Sequence, residues 1–324
     1  MPLSRIRSIK LLLASIIVAL FSAGCLAVAA GGLAPGSSSA SAAAPVTVSQ
    51  PRATATPLPS QSPLEVDLGK KETPTAAPAN WQDYPVVPAL SARAIQIYQQ
   101  GLLNGNDPHH FSKIGDCQNI TTYFLSAFED PDLYTLGADY ADLQETIDWY
   151  FGSFSRESLA VAGGLNVARV LSPFHANRAM CGPNENSLDC EVRIYNPSVA
   201  IVSMEENWSQ RSPEEYEKHL STIVESLIAE GVLPILATKA DNLEGDHSIN
   251  ATIAKVAADY EIPLWNFWLA VQPLPSHGLH ADGFHLTVAG SHFDDAQRMK
   301  RAWPWRNLSA LQALDAVLEA VQGE

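Results

Sequence analysis

The sequence predicts an α/β fold, a single three-layer domain with a parallel central sheet flanked by helices. Two observations predict it. Short segments of strand length, most of them apolar, recur at 111–114, 159–162, 199–204, 233–238 and 263–267. Segments with helical apolar spacing lie between or after them, notably 213–229, 249–260 and 309–321. Strands separated by helices imply crossover connections, and hence a parallel sheet covered on both faces.

Two segments precede this domain. Residues 1–30 carry Arg5, Arg7 and Lys10, then an apolar run from Leu11 to Phe21 and the small residues Ser22-Ala23-Gly24-Cys25. A basic start, a short apolar core and small residues mark a secretory signal. Cys25 after Ala23-Gly24 looks like a bacterial lipoprotein attachment site. The alternatives are cleavage after Ala29, or an uncleaved anchor, because Leu11 to Ala30 contains no charge and is nearly long enough to span a bilayer. In each version the rest of the chain works outside the cytoplasm, in the cell envelope or anchored on the outer surface. Residues 31–80 are rich in Ala, Ser, Pro and Thr and poor in large apolar side chains. Such a composition cannot bury enough surface to offset its ordering entropy, so a disordered tether is expected, with the domain at 81–324.

Within the domain each element has a sequence reason. The run 111–114 leads directly into Gly115-Asp116-Cys117, where a strand is expected to turn into a helix beginning near Gln118. Gly163-Gly164 follow the run 159–162, and Glu205-Glu206-Asn207-Trp208 follow the run 199–204. In the helical segment after it, Tyr216, Leu220, Ile223, Leu227 and Ile228 fall on one face. The last helix presents Leu311, Leu314, Val317, Leu318 and Val321 to a core. Open parallel sheets bind ligands at the carboxyl ends of their strands. Cys117, Gly163, Gly164, Glu205 and Asn207 all follow expected strand ends, and the loop bearing Asp282 and His285 comes after the last strand.

Two short stretches carry the chemistry. Asp282-Gly283-Phe284-His285 places a carboxylate and an imidazole three residues apart, a spacing that shares one face of a helical turn. The carboxylate can then fix the ring's tautomer while the other nitrogen meets a nucleophile. Cys117, placed at a strand-to-helix turn, is expected beside the positive end of a helix, which favours a thiolate. Cys181 and Cys190 flank a turn-rich polar loop and read as a short-loop disulfide in an oxidising compartment. That pairing leaves Cys117 as a thiol at the nucleophile position.

These residues resemble the SGNH, or GDSL-like, hydrolase family over about residues 110–320. Gly115-Asp116-Cys117 stands where that family has Gly-Asp-Ser, with Cys in place of its catalytic Ser. Asp282-Gly283-Phe284-His285-Leu286-Thr287 matches its Asp-x-x-His motif, which ends in an apolar residue and often a Thr. Asn207 matches the Asn of its Gly-x-Asn-Asp motif, with Glu205 where the Gly stands. The resemblance implies a flavodoxin-like SGNH hydrolase fold and a Cys117-His285-Asp282 constellation. It also implies an oxyanion hole from Asn207 and a Gly near 164, and ester substrates, for which acetyl esters of polysaccharides suit the location.

Other readings are weaker. His277, His280, His285 and His292 do not form a HExxH helix, so no metal or other cofactor is expected. Glu205 and Glu206 could suggest glycosidase carboxylates, without an assignable opposing partner. The net charge of −15 becomes three units more negative once Arg5, Arg7 and Lys10 leave with the signal, and no basic patch follows the tether. Nucleic acid is therefore excluded as a partner, leaving a small-molecule or glycan ester and, through the N-terminus, a membrane. The expected function is an exported ester hydrolase; the alternative is an inactive protein of the same fold that binds a glycan or other ligand at the cell surface.

Overall fold

A computed structural model describes residues 80–204 and 212–323. Residues 1–79 fall outside that range, so the expected signal, Cys25 and nearly all of the expected tether lie outside the described residues. Asn207, Glu205, Glu206 and Trp208 lie outside it too.

The chain runs through α1 (Ala92–Asn104), β1 (Asp107–Gly115), β2 (Tyr134–Thr135) and α2 (Gln144–Trp149). It continues through α3 (Ser187–Tyr195), β3 (Pro197–Ser203), α4 (Pro213–Ala229) and β4 (Leu233–Ala237). After these come α5 (Ser248–Asp259), β5 (Leu264–Trp265), α6 (Phe267–Val271), β6 (Ser291–His292) and α7 (Ala302–Gln322). The main sheet has the order β1-β3-β4-β5, every pair parallel, and β2 pairs with β6 in a small second sheet. Every residue of β3 and β4 is buried, as expected where helices cover both faces of a parallel sheet. Helices α1 and α7 pack on one face and α3, α4 and α5 on the other, giving the three layers.

Helix α4 spans the residues its sequence announces. Ser212 accepts from the Glu215 N–H, Pro213 occupies the first turn, and Glu214 and Glu215 meet the positive end of the helix. Tyr216, Leu220, Ile223, Val224 and Leu227 fill its buried face.

Four expectations are corrected. The run 159–162 is not a strand: it makes one bridge, Val161 to Gly115, on the side of β1 away from β3. The helix expected near Gln118 is a three-residue 3-10 turn, Cys117–Asn119, too short for a useful dipole. Of the 263–267 run only Leu264–Trp265 pair, because Asn266 caps α6 by accepting from the Leu269 N–H. The last helix begins at Ala302 rather than 309; Pro304 sits in its first turn, where a missing N–H costs no hydrogen bond.

With the 159–162 segment beside β1, the order across the sheet is that of a flavodoxin-like fold. The chain leaves β1 first to one side and then to the other, so the carboxyl end of β1 is the topological switch point. Cys117 is two residues past that end.

Candidate active site

Gly115 explains the local geometry of Cys117. A Cβ there would lie 2.0 Å from Asn119 Nδ2 and 2.3 Å from the Ser203 carbonyl oxygen, so only glycine fits. The space is used by Asn119, fully buried, whose side-chain amide donates to the Ser203 carbonyl at 2.8 Å. Asp116 is buried as well and accepts from the Gln118 N–H at 3.0 Å. The turn bearing Cys117 is thus fastened to the end of β3, and Cys117 itself is half-buried.

The register brings further candidates to this edge. Gly115 pairs with Ser203, so β3 ends beside the Cys117 turn. On the other side the Gly115 N–H donates to the Ala160 carbonyl at 3.0 Å, and the Ala162 N–H donates back to Gly115 at 3.3 Å. Gly163 and Gly164 follow at once, with Gly164 in the left-handed region at φ 76°. Cys117 and Gly164 therefore belong to neighbouring turns at one end of the sheet.

Asp282 and His285 are together, but not on a helix. Gly283 adopts φ 69°, and Asp282 Oδ1 accepts the N–H groups of Phe284 and His285, each at 3.0 Å. This turn frees the second oxygen, and Asp282 Oδ2 meets His285 Nδ1 at 2.7 Å. The His285 contact, helped by the two backbone donors, holds the Asp282 carboxyl down to about 2. Both side chains face solvent, 63% exposed for His285 and 49% for Asp282. The contact fixes the tautomer when Nδ1 carries the proton, which leaves Nε2 as the basic nitrogen.

The loop is anchored by the two residues after His285. Leu286 is buried, and Thr287 Oγ1 donates to the Gly278 carbonyl at 2.9 Å while accepting from the Ala302 N–H at 2.9 Å. Thr287 thus caps α7, and its carbonyl accepts from the Trp303 N–H at 3.1 Å. One turn further along α7, Arg306 donates to the Gln118 carbonyl at 3.3 Å and to Ser203 Oγ at 2.7 Å. The Tyr123 ring, from the loop after Cys117, lies 5.7 Å from that of Trp303. The Cys117 turn and the Asp282-His285 turn are both seated on the start of α7.

Arg306 and Asn119 carry no local sequence signal. Arg306 is fully buried, with its guanidinium 4.8 Å, 5.3 Å and 5.0 Å from the Phe124, Trp265 and Phe267 ring centres. It sets a permanent positive charge under the Cys117 turn. Of the other histidines, His292 Nδ1 meets Thr135 Oγ1, and His277 Nδ1 meets the Gln272 carbonyl. His280 is exposed, with its backbone N–H on the His285 carbonyl. Cys181 and Cys190 form the expected disulfide, although α3 begins at Ser187 inside what reads as a loop. A groove of about 580 Å³, lined by Glu185, Asp189, Arg193 and Glu230 among others, sits at the opposite, amino end of β3.

Fold and site together define an α/β protein with a thiol at the sheet's switch point and an Asp-His pair on a neighbouring loop. Solved structures of hydrolases are similar to it. The esterase EstA from Pseudoalteromonas sp., inhibited by monoethylphosphonate, is 13% identical, covering 66% of this chain and 99% of its own, with a TM-score of 0.40. A GDSL-like lipase from Bacteroides thetaiotaomicron is 12% identical over 71% of this chain and 98% of its own, at a TM-score of 0.37. LAE5, an alpha/beta hydrolase enzyme from the metagenome of Lake Arreo, Spain, is 17% identical over 66% and 96%, at 0.41. No protein-family model and no curated protein matches the sequence.

Proposed function

We propose that this chain is an ester hydrolase that uses Cys117 as nucleophile, His285 as base and Asp282 to orient it. The observation that carries the reading is the 2.7 Å contact of Asp282 Oδ2 with His285 Nδ1, on a loop seated against the same helix as the Cys117 turn. His285 Nε2 takes the Cys117 proton and sulfur attacks the ester carbonyl carbon, placing a negative charge on its oxygen. The backbone N–H of Cys117, an N–H near Gly164 and the Asn207 amide receive that charge. Collapse breaks the bond to the alcohol, which leaves with the proton from His285, and a thioester remains. Water, deprotonated by His285, then attacks the thioester, releasing the acid and restoring the thiol.

Acetyl esters of polysaccharides outside the cytoplasm are the proposed substrates, with the chain held at the envelope through Cys25. The basic and apolar start of the chain and the small residues before Cys25 support that placement. The test is hydrolysis of an activated acetyl ester by wild type, Cys117→Ala, Cys117→Ser and His285→Ala. Loss of about 10²–10⁴-fold in kcat is expected for His285→Ala, with Cys117→Ala at background. Turnover by Cys117→Ser but not by wild type would instead mean a ligand-binding cleft with a disabled nucleophile. In a host that exports the chain, Cys25→Ala should move it from the membrane to the soluble fraction; no change would remove the lipid anchor from the proposal.

A further inference from the structure

The segment that carries Gly163 and Gly164 to Cys117 is tied to the sheet at one residue only; its other backbone bonds are local, Val161 N–H to the Ser158 carbonyl and Leu165 N–H to the Ala162 carbonyl. Residues 159–162 form no strand and meet β1 through the backbone of Gly115 alone. Two N–H···O bonds at a strand end do not by themselves fix a register. Behind this segment stands Glu191, on α3, with a fully buried carboxylate. Its Oε2 accepts from the Leu159 N–H at 2.8 Å and from Arg156 Nη1 at 3.3 Å. Its Oε1 accepts from Ser112 Oγ, on β1, at 2.6 Å and from Arg156 Nη2.

One carboxylate therefore ties three pieces together: the strand leading to Cys117, the segment leading to Gly164, and α3. Arg156 extends the tie. Its guanidinium lies 3.5 Å from the Tyr195 ring centre, and its carbonyl accepts from Thr121 Oγ1 at 3.0 Å, in the loop just past the Cys117 turn. A fully buried carboxylate paired with a partly buried arginine is weak support for stability compared with apolar packing, because the carboxylate loses its hydration. It is a strong support for geometry, because every donor around it is left unsatisfied if the segment slips.

We propose that Glu191 is the positioning residue for the oxyanion side of the site. It sets the register of 159–162 against Gly115, and so where the amides of Gly163 and Gly164 stand relative to Cys117. The catalytic consequence rests on the ester-hydrolase reading above; the positional one does not.

The two are separated by measuring backbone hydrogen exchange and steady-state kinetics on the same variants. In Glu191→Gln, amides of 160–165 should exchange at least about tenfold faster, while those of α4 and α5 keep their wild-type rates. On an activated acetyl ester, kcat should fall about tenfold or more with KM within about twofold, since the loss falls on the transition state. Faster exchange spread evenly over the sheet, or no local change, would overturn the proposal. Local exchange as expected with a wild type that hydrolyses nothing would keep the clamp and remove the hydrolase. Should Glu191→Gln fail to fold, Ser112→Ala deletes one donor to the same carboxylate and should show a smaller increase confined to the same amides; an unchanged 160–165 there would equally overturn it.

Discussion

A 3-10 turn of three residues aligns too few peptide dipoles to favour a thiolate, so the charge that would stabilise one at Cys117 has to come from a side chain. Arg306 is placed to supply it: fully buried, always protonated, and bonded to the carbonyl of the very next residue, Gln118. Burial strengthens its field, because little water intervenes to screen it. Arg306→Met should slow alkylation of Cys117 by iodoacetamide at pH 7 about tenfold, with the rate recovering as the pH is raised. Arg306→Lys, which keeps the charge and loses the planar fork, should fall between Met and wild type. A Met variant that folds and alkylates at the wild-type rate would reduce Arg306 to a packing residue. The Asp282 carboxylate, held at about 2, stays ionised through neutral and mildly acid pH, so acid loss of activity has to come from elsewhere than Asp282.

At the scale of elements, β1 contains a lysine that a strand interior does not ordinarily hold. Lys113 is almost fully buried, donating to the Phe154 carbonyl at 2.8 Å and to Thr121 Oγ1 at 3.2 Å. Burial, and then the nearby Arg156 cation, lower it to about 7. The sign follows directly. Folding then costs free energy at any pH where the unfolded lysine is charged. That cost is fully present below about pH 7 and vanishes as the pH rises toward the unfolded value of 10.5. Wild-type stability should therefore rise relative to Lys113→Met by up to about 1.4 kcal/mol per pH unit across that window, and run parallel to it below. Urea melts of both proteins at pH 6, 7, 8 and 9 read this difference, and parallel curves throughout would mean that Lys113 stays charged. Such contacts also mark where the sequence stops being legible. Helix α4 is written in its own cap, acidic first turn and apolar spacing. Asp282 and His285 are legible from their spacing, although a Gly283 turn rather than a helix joins them. The clamp of Glu191 on Arg156 and Leu159, and the bond of Arg306 to Gln118, join residues 32 to 188 positions apart and leave no periodic trace. The run 159–162 has the composition of a strand, but it meets β1 only at the last residue of that strand, Gly115, so it cannot form a ladder.

At the scale of the whole described molecule, the support behind the site ends in a covalent bond. Helix α3 is nine residues long, shorter than a helix that holds in water without tertiary contacts. Asn186 caps it, accepting from the Asp189 N–H, and the Cys181–Cys190 disulfide fastens its first turns. Glu191 is the residue after Cys190, so whatever frees the start of α3 also frees the carboxylate that holds Leu159 and Arg156. The cross-link closes a short loop, with a separation of nine residues, for which chain entropy gives about 2–3 kcal/mol. Cys190→Ala should then lower the melting temperature by roughly 5–10 °C for a domain of this size. Thiol reduction of wild type should lower it by the same amount. Loss of stability alone would leave kcat unchanged at temperatures well below the melt. Because α3 carries Glu191, kcat at 25 °C should fall as well, in wild type under reductant and in Cys190→Ala alike. Equal kcat with and without the disulfide would show that α3 is held by its packing on β1, and that the cross-link protects the fold without reaching the site.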